Sequence, residues 1–223
     1  MIHLLDAFHW SQLLQPQYYI EIGGLWLLLF VVFAETGLFF GFFLPGDSLL
    51  FVAGIYSASL AAPIFVSENE WVNLFIIFSF ISAAGILGNE VGYRIGNQVG
   101  PAMYDWKENL FFKKKYLIQA RDFYEKHGGR AIVIARFIPI VRTFAPIMAG
   151  IVKMDKNKFV YYNIVGCITW VATMLCAGHF LQSYILNHFQ FDLKKHLEVI
   201  VIGIVLVTTA PVIFQVLKHR SRK

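Results

Sequence analysis

Long apolar runs, cut by a few charged or proline-bearing stretches, set the pattern of this chain. Residues 22–41 are apolar except at Glu35, and Phe42-Phe43-Leu44-Pro45-Gly46-Asp47 follows before a second apolar run, 48–66. A Pro-Gly pair marks a turn, and each arm is near or below the roughly 20 residues that a helix needs to cross a bilayer. The pattern predicts a hairpin over 22–66 that dips into a membrane, with Pro45 and Gly46 shaping its tip. Ahead of it, residues 1–21 are mixed, and Trp10, Tyr18 and Tyr19 suit an interfacial segment at headgroup level.

An acidic loop, Ser67-Glu68-Asn69-Glu70, precedes a predicted transmembrane helix over 71–100. Gly85, Gly88, Gly92, Gly96 and Gly100 line one face of it, which lets another helix approach closely. Residues 105–127 read as an amphipathic helix with Trp106, Leu110, Leu117 and Tyr124 near one face, ended by Gly128-Gly129. With Lys113, Lys114 and Lys115, it suits the cytoplasmic leaflet. Residues 159–186 and 199–217 are predicted as further spans, and 218–223 form a basic tail.

Between these lies 130–152, which holds Arg136, Arg142, Pro139 and Pro146 in an otherwise apolar run. An arginine at bilayer depth costs roughly 2.5 to 3.5 kcal/mol on the gentlest scale. Each proline removes a backbone donor, so a straight helix is not expected here. Broken backbone at that depth needs cover from protein or a water-filled cavity. The stretch therefore reads as a second re-entrant hairpin, closed at Gly150, that holds two cations in a cavity. Such a pair calls for an anion.

Charge distribution supports the return. Residues 1–93 hold seven acids and no Lys or Arg, and all nineteen bases lie at or after Arg94. Cytoplasmic segments gather Lys and Arg, which places the N-terminus outside and the C-terminus in the cytoplasm. If 130–152 re-enters, Lys153, Lys156, Lys158 and the tail all stay inside, and only Lys194 and Lys195 face out. Both hairpins end in Ala-Gly (Ala53-Gly54 and Ala149-Gly150) before a full span, an echo expected of an inverted repeat.

Composition agrees: 57% of residues are hydrophobic, 15% are charged and the mean hydropathy is +0.60. The class is an all-α, polytopic membrane protein with one domain over 1–223. The pI of about 9.2 does not argue for nucleic acid, because the bases fall where membrane topology puts them. No basic n-region or cleavage site marks a signal peptide. Cys167 and Cys176 suggest packing and neither a zinc site nor a disulfide.

Four ionisable residues sit at membrane depth: Glu35, Asp47, Arg136 and Arg142. The arginines would form a planar fork for a phosphate, and Thr143 and Ser48 would add hydroxyl donors. Glu35 and Asp47 would titrate and switch the cluster between closed and anion-accepting forms. The alternative is a structural charge cluster that only orients the hairpins. Asn89 and Glu90 suit headgroup contact as well as function. His179 would be a proton relay or simply a satisfied helix histidine. No G-x-S-x-G, H-E-x-x-H or P-loop pattern appears, so neither an enzyme nor a metal or cofactor site is expected.

With these residues in view, the sequence resembles the DedA family, the bacterial branch of membrane proteins sharing the VTT or SNARE-associated domain. The resemblance covers about 22–186 and is most specific at Arg136-Phe137-x-Pro139-x-x-Arg142-Thr143-Phe144-x-Pro146-x-x-Ala149-Gly150. Glu35, Pro45-Gly46-Asp47, Gly92-Tyr93-x-x-Gly96 and Trp170 agree with it, whereas Gly178-His179 stands where Gly-Tyr is more usual. It implies two opposed re-entrant hairpins in the bacterial inner membrane and movement of lipids, with undecaprenyl phosphate the expected substrate and dependence on the proton gradient. It also implies that Glu35 and Asp47 are the family's essential acids and Arg136 and Arg142 its essential arginines. A flippase for a polyprenyl phosphate is the leading expectation. Broad phospholipid scrambling and a non-transporting scaffold or assembly factor are the alternatives. A homo-oligomer joined by the glycine face is also open.

Overall fold

Every helix described below is drawn from a computed structural model, which describes residues 16–38, 46–105 and 114–189. The elements are α1 (Pro16–Gly37), α2 (Gly46–Ile55), α3 (Ser57–Ala61), α4 (Glu70–Asp105), α5 (Lys114–His127), α6 (Arg130–Ala135), α7 (Pro139–Ile151) and α8 (Lys156–Phe189). No strand occurs among the described residues. The expected tip residue Pro45, the span 199–217 and the basic tail lie outside them, as do Trp10, Trp106 and Leu110.

Among the described residues, two helices are long and apolar enough to cross a membrane: Glu70–Gly100, with mean hydropathy 1.9, and Lys156–His188, with 1.8. These match the predicted spans 71–100 and 159–186 and extend them. The other apolar helices are shorter. In α1, Gly24 takes φ 51, a left-handed value that glycine accommodates without a Cβ clash, and the apolar arm runs on as Gly24–Gly37. At 1.5 Å per residue, the 10 residues of α2 span about 15 Å, half the ~30 Å hydrocarbon core.

Of the predicted amphipathic helix 105–127, α5 supplies Lys114–His127, Asp105 belongs to the long α4, and 106–113 lie outside the described residues. Pro146 does not break its helix. Pro139 opens α7, where a missing N–H costs nothing, but α7 runs on through Pro146 to Ile151. Pro146 Cβ faces Gly92 of α4, 3.5 Å from where a Cβ there would stand, an ordinary van der Waals distance.

The chain divides into two compact units. In the unit of 29–44 and 78–173, the glycine face of α4 is filled from inside. A Cβ on Gly88 would strike Thr36 of α1, and one on Gly96 would strike the Ile147 carbonyl of α7. Gly150 returns the contact, lying against the Tyr93 carbonyl. Tyr93 stacks on Phe159 with ring centroids 4.4 Å apart and donates to the Met154 carbonyl at 2.6 Å. Tyr124 of α5 is buried with them, and its hydroxyl donates to the Ala145 carbonyl at 2.8 Å.

In the other unit, 1–28, 45–77 and 174–223, α2 has all ten residues buried. Gly54 lies against the Leu175 carbonyl of α8, and Gly178 lies against the Phe51 carbonyl of α2. Thus α2 and α7 both end on Ala-Gly-Ile and both seat that glycine on the backbone of a long helix.

Candidate anion site

The site is assembled from five helices of one unit. At the end of α1, the Thr36 hydroxyl turns back to the Val32 carbonyl at 2.8 Å, and Gly37 lets the helix lie against Gly88 of α4. That approach leaves Glu35 only 1% exposed. Arg142, in the second turn of α7, donates through Nη2 to Glu35 Oε1.

Arg136 caps the short helix α6 and is also buried. Its Nη2 donates to Asn163 Oδ1 at 2.9 Å. On α8, Asn163, Cys167 and Trp170 recur at i, i+4 and i+7, so one helical face carries all three. Asn163 donates in turn to the Ile86 carbonyl at 3.2 Å, and Asn89 Nδ2 donates to Asn163 Oδ1 at 2.6 Å. The Cys167 thiol donates to the Ser82 carbonyl at 3.5 Å, and Gly85 leaves it room.

Trp170 completes the arrangement. Its buried indole has the guanidinium carbons of Arg136 and Arg142 at 5.5 and 5.1 Å from the ring centroid. Both distances lie within cation–π range, worth ~2 kcal/mol or more where water is excluded. Taking charge out of water costs several kcal/mol per ion unless it is paired. Glu35 offsets Arg142. Arg136 meets a neutral amide, and no carboxylate pairs with it among the described residues. Arg136 is left with a positive charge that no ion pair among the described residues offsets. It can therefore attract an anion, and planar N–H donors favour phosphate or carboxylate.

The other expected residues fall as follows. Thr143 is buried directly after Arg142. Asp47 and Ser48 belong to the other unit, both buried in the first turn of α2, where the helix dipole favours an acid. His179 lies in that same unit, with Nε2 3.8 Å from Glu70 Oε2 and its ring centroid 5.8 Å from that of Trp71. Asn89, for which headgroup contact is one expectation, is instead buried on Asn163. Its neighbour Glu90 pairs with Arg94 at 2.9 Å and Lys156 at 3.5 Å. Asn163 is the residue that the sequence reading misses, although an amide inside a predicted span is the signal that would have found it. Among the described residues, no cluster of three or more His, Cys, Asp or Glu could hold a metal ion.

Outside the spans, burial pushes the Tyr124 hydroxyl above its ordinary value of 10.0, so it stays a proton donor to α7.

Long apolar helices around a buried ion pair define the class: an α-helical membrane protein with a charged cluster inside it. The model of the VTT domain matches residues 25–180, a stretch that holds every residue of the cluster. The chain belongs to the DedA family of VTT-domain membrane proteins. It is 36% identical over 200 residues to Protein DedA of Escherichia coli K12, covering 88% of this chain and 85% of that one. It is 35% identical over 218 residues to an uncharacterized membrane protein of Mycobacterium tuberculosis, covering 95% and 89%. It is 32% identical over 163 residues to Inner membrane protein YqjA of Escherichia coli K12, covering 72% and 69%. No solved structure matches the chain.

Proposed function

We propose that this protein is a carrier, and not an enzyme, that moves a lipid phosphate across the bacterial inner membrane. Undecaprenyl phosphate is the substrate we favour. One observation carries the reading: the buried Arg136 and the partly buried Arg142 share the Trp170 ring, and Arg136 is the one that no carboxylate pairs among the described residues. In this reading the phosphate binds Arg136 and Arg142 with help from Thr143, while protonation of Glu35 and Asp47 couples the proton gradient to movement.

The short helices support two re-entrant hairpins, α1–α2 and α6–α7, and their matching Ala-Gly-Ile ends support an inverted repeat. The base distribution supports an outside N-terminus and a cytoplasmic C-terminus. The likeness to Inner membrane protein YqjA supports the location.

The test is lipid translocation in proteoliposomes, comparing wild type with Arg136→Lys. Lysine keeps the charge and loses the planar fork. Transport by wild type and its loss in a folded Arg136→Lys variant is the expected result. If wild type moves no polyprenyl phosphate, with or without a proton gradient, the carrier reading falls and a scaffold replaces it. Equal movement of phosphatidylglycerol would point to a broad scramblase.

A further inference from the structure

Arg136 is the arginine whose partner is neutral, and the surroundings hold that partner in place. Asn163 is fully buried, at 0% exposure. Its oxygen receives Arg136 at 2.9 Å and Asn89 at 2.6 Å, while its nitrogen is anchored on the Ile86 carbonyl at 3.2 Å. If the Asn89 amide is turned over, its nitrogen reaches the Thr36 carbonyl at 3.0 Å and its oxygen faces Arg136. In either orientation, α4 and α8 present Arg136 with amides. Arg136 Nε has no hydrogen-bond partner among the described residues. A fold that only needed to keep this arginine inside would be served by an aspartate at 163. That residue has almost the same shape and would supply the missing charge.

We propose that Asn163 is a specificity-determining residue. Its neutrality keeps Arg136 one charge in excess, so that an incoming phosphate, and not a side chain, completes the pair. The inference rests on the phosphate-site reading above and deepens it. A carboxylate at 163 would lie at hydrogen-bond distance from Arg136. Arg136 would then be paired by a side chain, and the cluster would carry one more negative charge against an incoming anion.

The test uses the full-length protein in detergent micelles. It measures binding of a short-chain polyprenyl monophosphate, with the uncharged polyprenol as control, alongside thermal unfolding. For Asn163→Asp we expect an unchanged or higher Tm and a loss of roughly ten- to a hundredfold in phosphate-lipid affinity, the range for losing one charge-assisted interaction. Two companions separate charge from shape. Asn163→Ala should lower Tm yet stay within severalfold of wild-type affinity, because the excess charge survives. Asn163→Asp with Glu35→Gln adds one carboxylate and removes another, returns the cluster to its wild-type charge and should recover binding. Tight binding by Asn163→Asp, or equal losses in folded Asp and Ala variants, would overturn the role given to Asn163 and leave the phosphate site standing. Wild type that does not prefer the phosphate lipid over the alcohol would overturn both.

Discussion

Arg142 and Glu35 stand 107 positions apart and form an ion pair in which the side chains are 10% and 1% exposed. Loop entropy and desolvation both oppose such a pair. Its persistence depends on α1 and α7 packing on the glycine face of the same helix, α4. Removing one partner therefore does more harm than removing both. Glu35→Ala should destabilise by ~3 to 5 kcal/mol, because it removes the carboxylate from a largely desolvated guanidinium. Glu35→Ala with Arg142→Met should recover a substantial part. A double-mutant cycle on thermal unfolding in detergent reads this, and additive losses would show that the pair is not coupled.

The glycine face gives a second prediction. A Cβ on Gly96 would collide with the Ile147 carbonyl, which is backbone and cannot swing away. Gly96→Ala should push α4 from α7 and cost ~1 to 3 kcal/mol as overpacking. Gly128 is the contrast: it has open space around it but φ 59, so Gly128→Ala should cost about 1 kcal/mol through backbone strain alone. Because α1 and α7 fill this face from within, Gly96→Ala should lower Tm at any protein concentration. A loss confined to dilute samples would instead locate the contact between copies.

Tyr124 ties α5 to α7 through the Ala145 carbonyl. Tyr124→Phe leaves that buried acceptor without its donor and should cost ~1 to 3 kcal/mol. The pH dependence has a definite sign. Burial raises the hydroxyl above the unfolded value of 10.0, so the folded state holds the proton longer. The stabilisation is complete below pH 10.0 and declines as pH rises from there towards the higher folded value. Wild type should lose its advantage over Tyr124→Phe in alkaline urea titrations. A difference that is constant through pH 11 would rule out this origin.

The sequence pattern reveals the long spans, the breaks near Pro139 and the four charged candidates, because charge and proline in apolar runs are costly wherever they fall. Pairing is another matter. Nothing local distinguishes Arg136 from Arg142, and the difference arises only when α8 brings Asn163 to one and α1 brings Glu35 to the other. Pro146 is a further case: its local penalty is visible in sequence, yet α7 runs through it to Ile151. The glycines of α4 read as a packing face, and only the fold shows that α1 and α7 occupy it.

The acids separate a carrier from a scaffold. Glu35→Gln and Asp47→Asn keep side-chain shape and remove the titrating proton. In a proton-coupled carrier, either change should abolish gradient-driven lipid movement while the folded fraction stays high. Glu35→Gln carries an added cost, because Arg142 loses a charged partner for a neutral amide, so a fall of a few degrees in Tm is expected there. Asp47 is buried in the first turn of α2, and Asp47→Asn should likewise show the coupling loss in a folded variant. The readout is lipid translocation with and without an imposed pH gradient, paired with unfolding curves for each variant. If both folded variants respond to the gradient as wild type does, the acids do not carry the proton. The cluster would then serve only to lock α1 against α7.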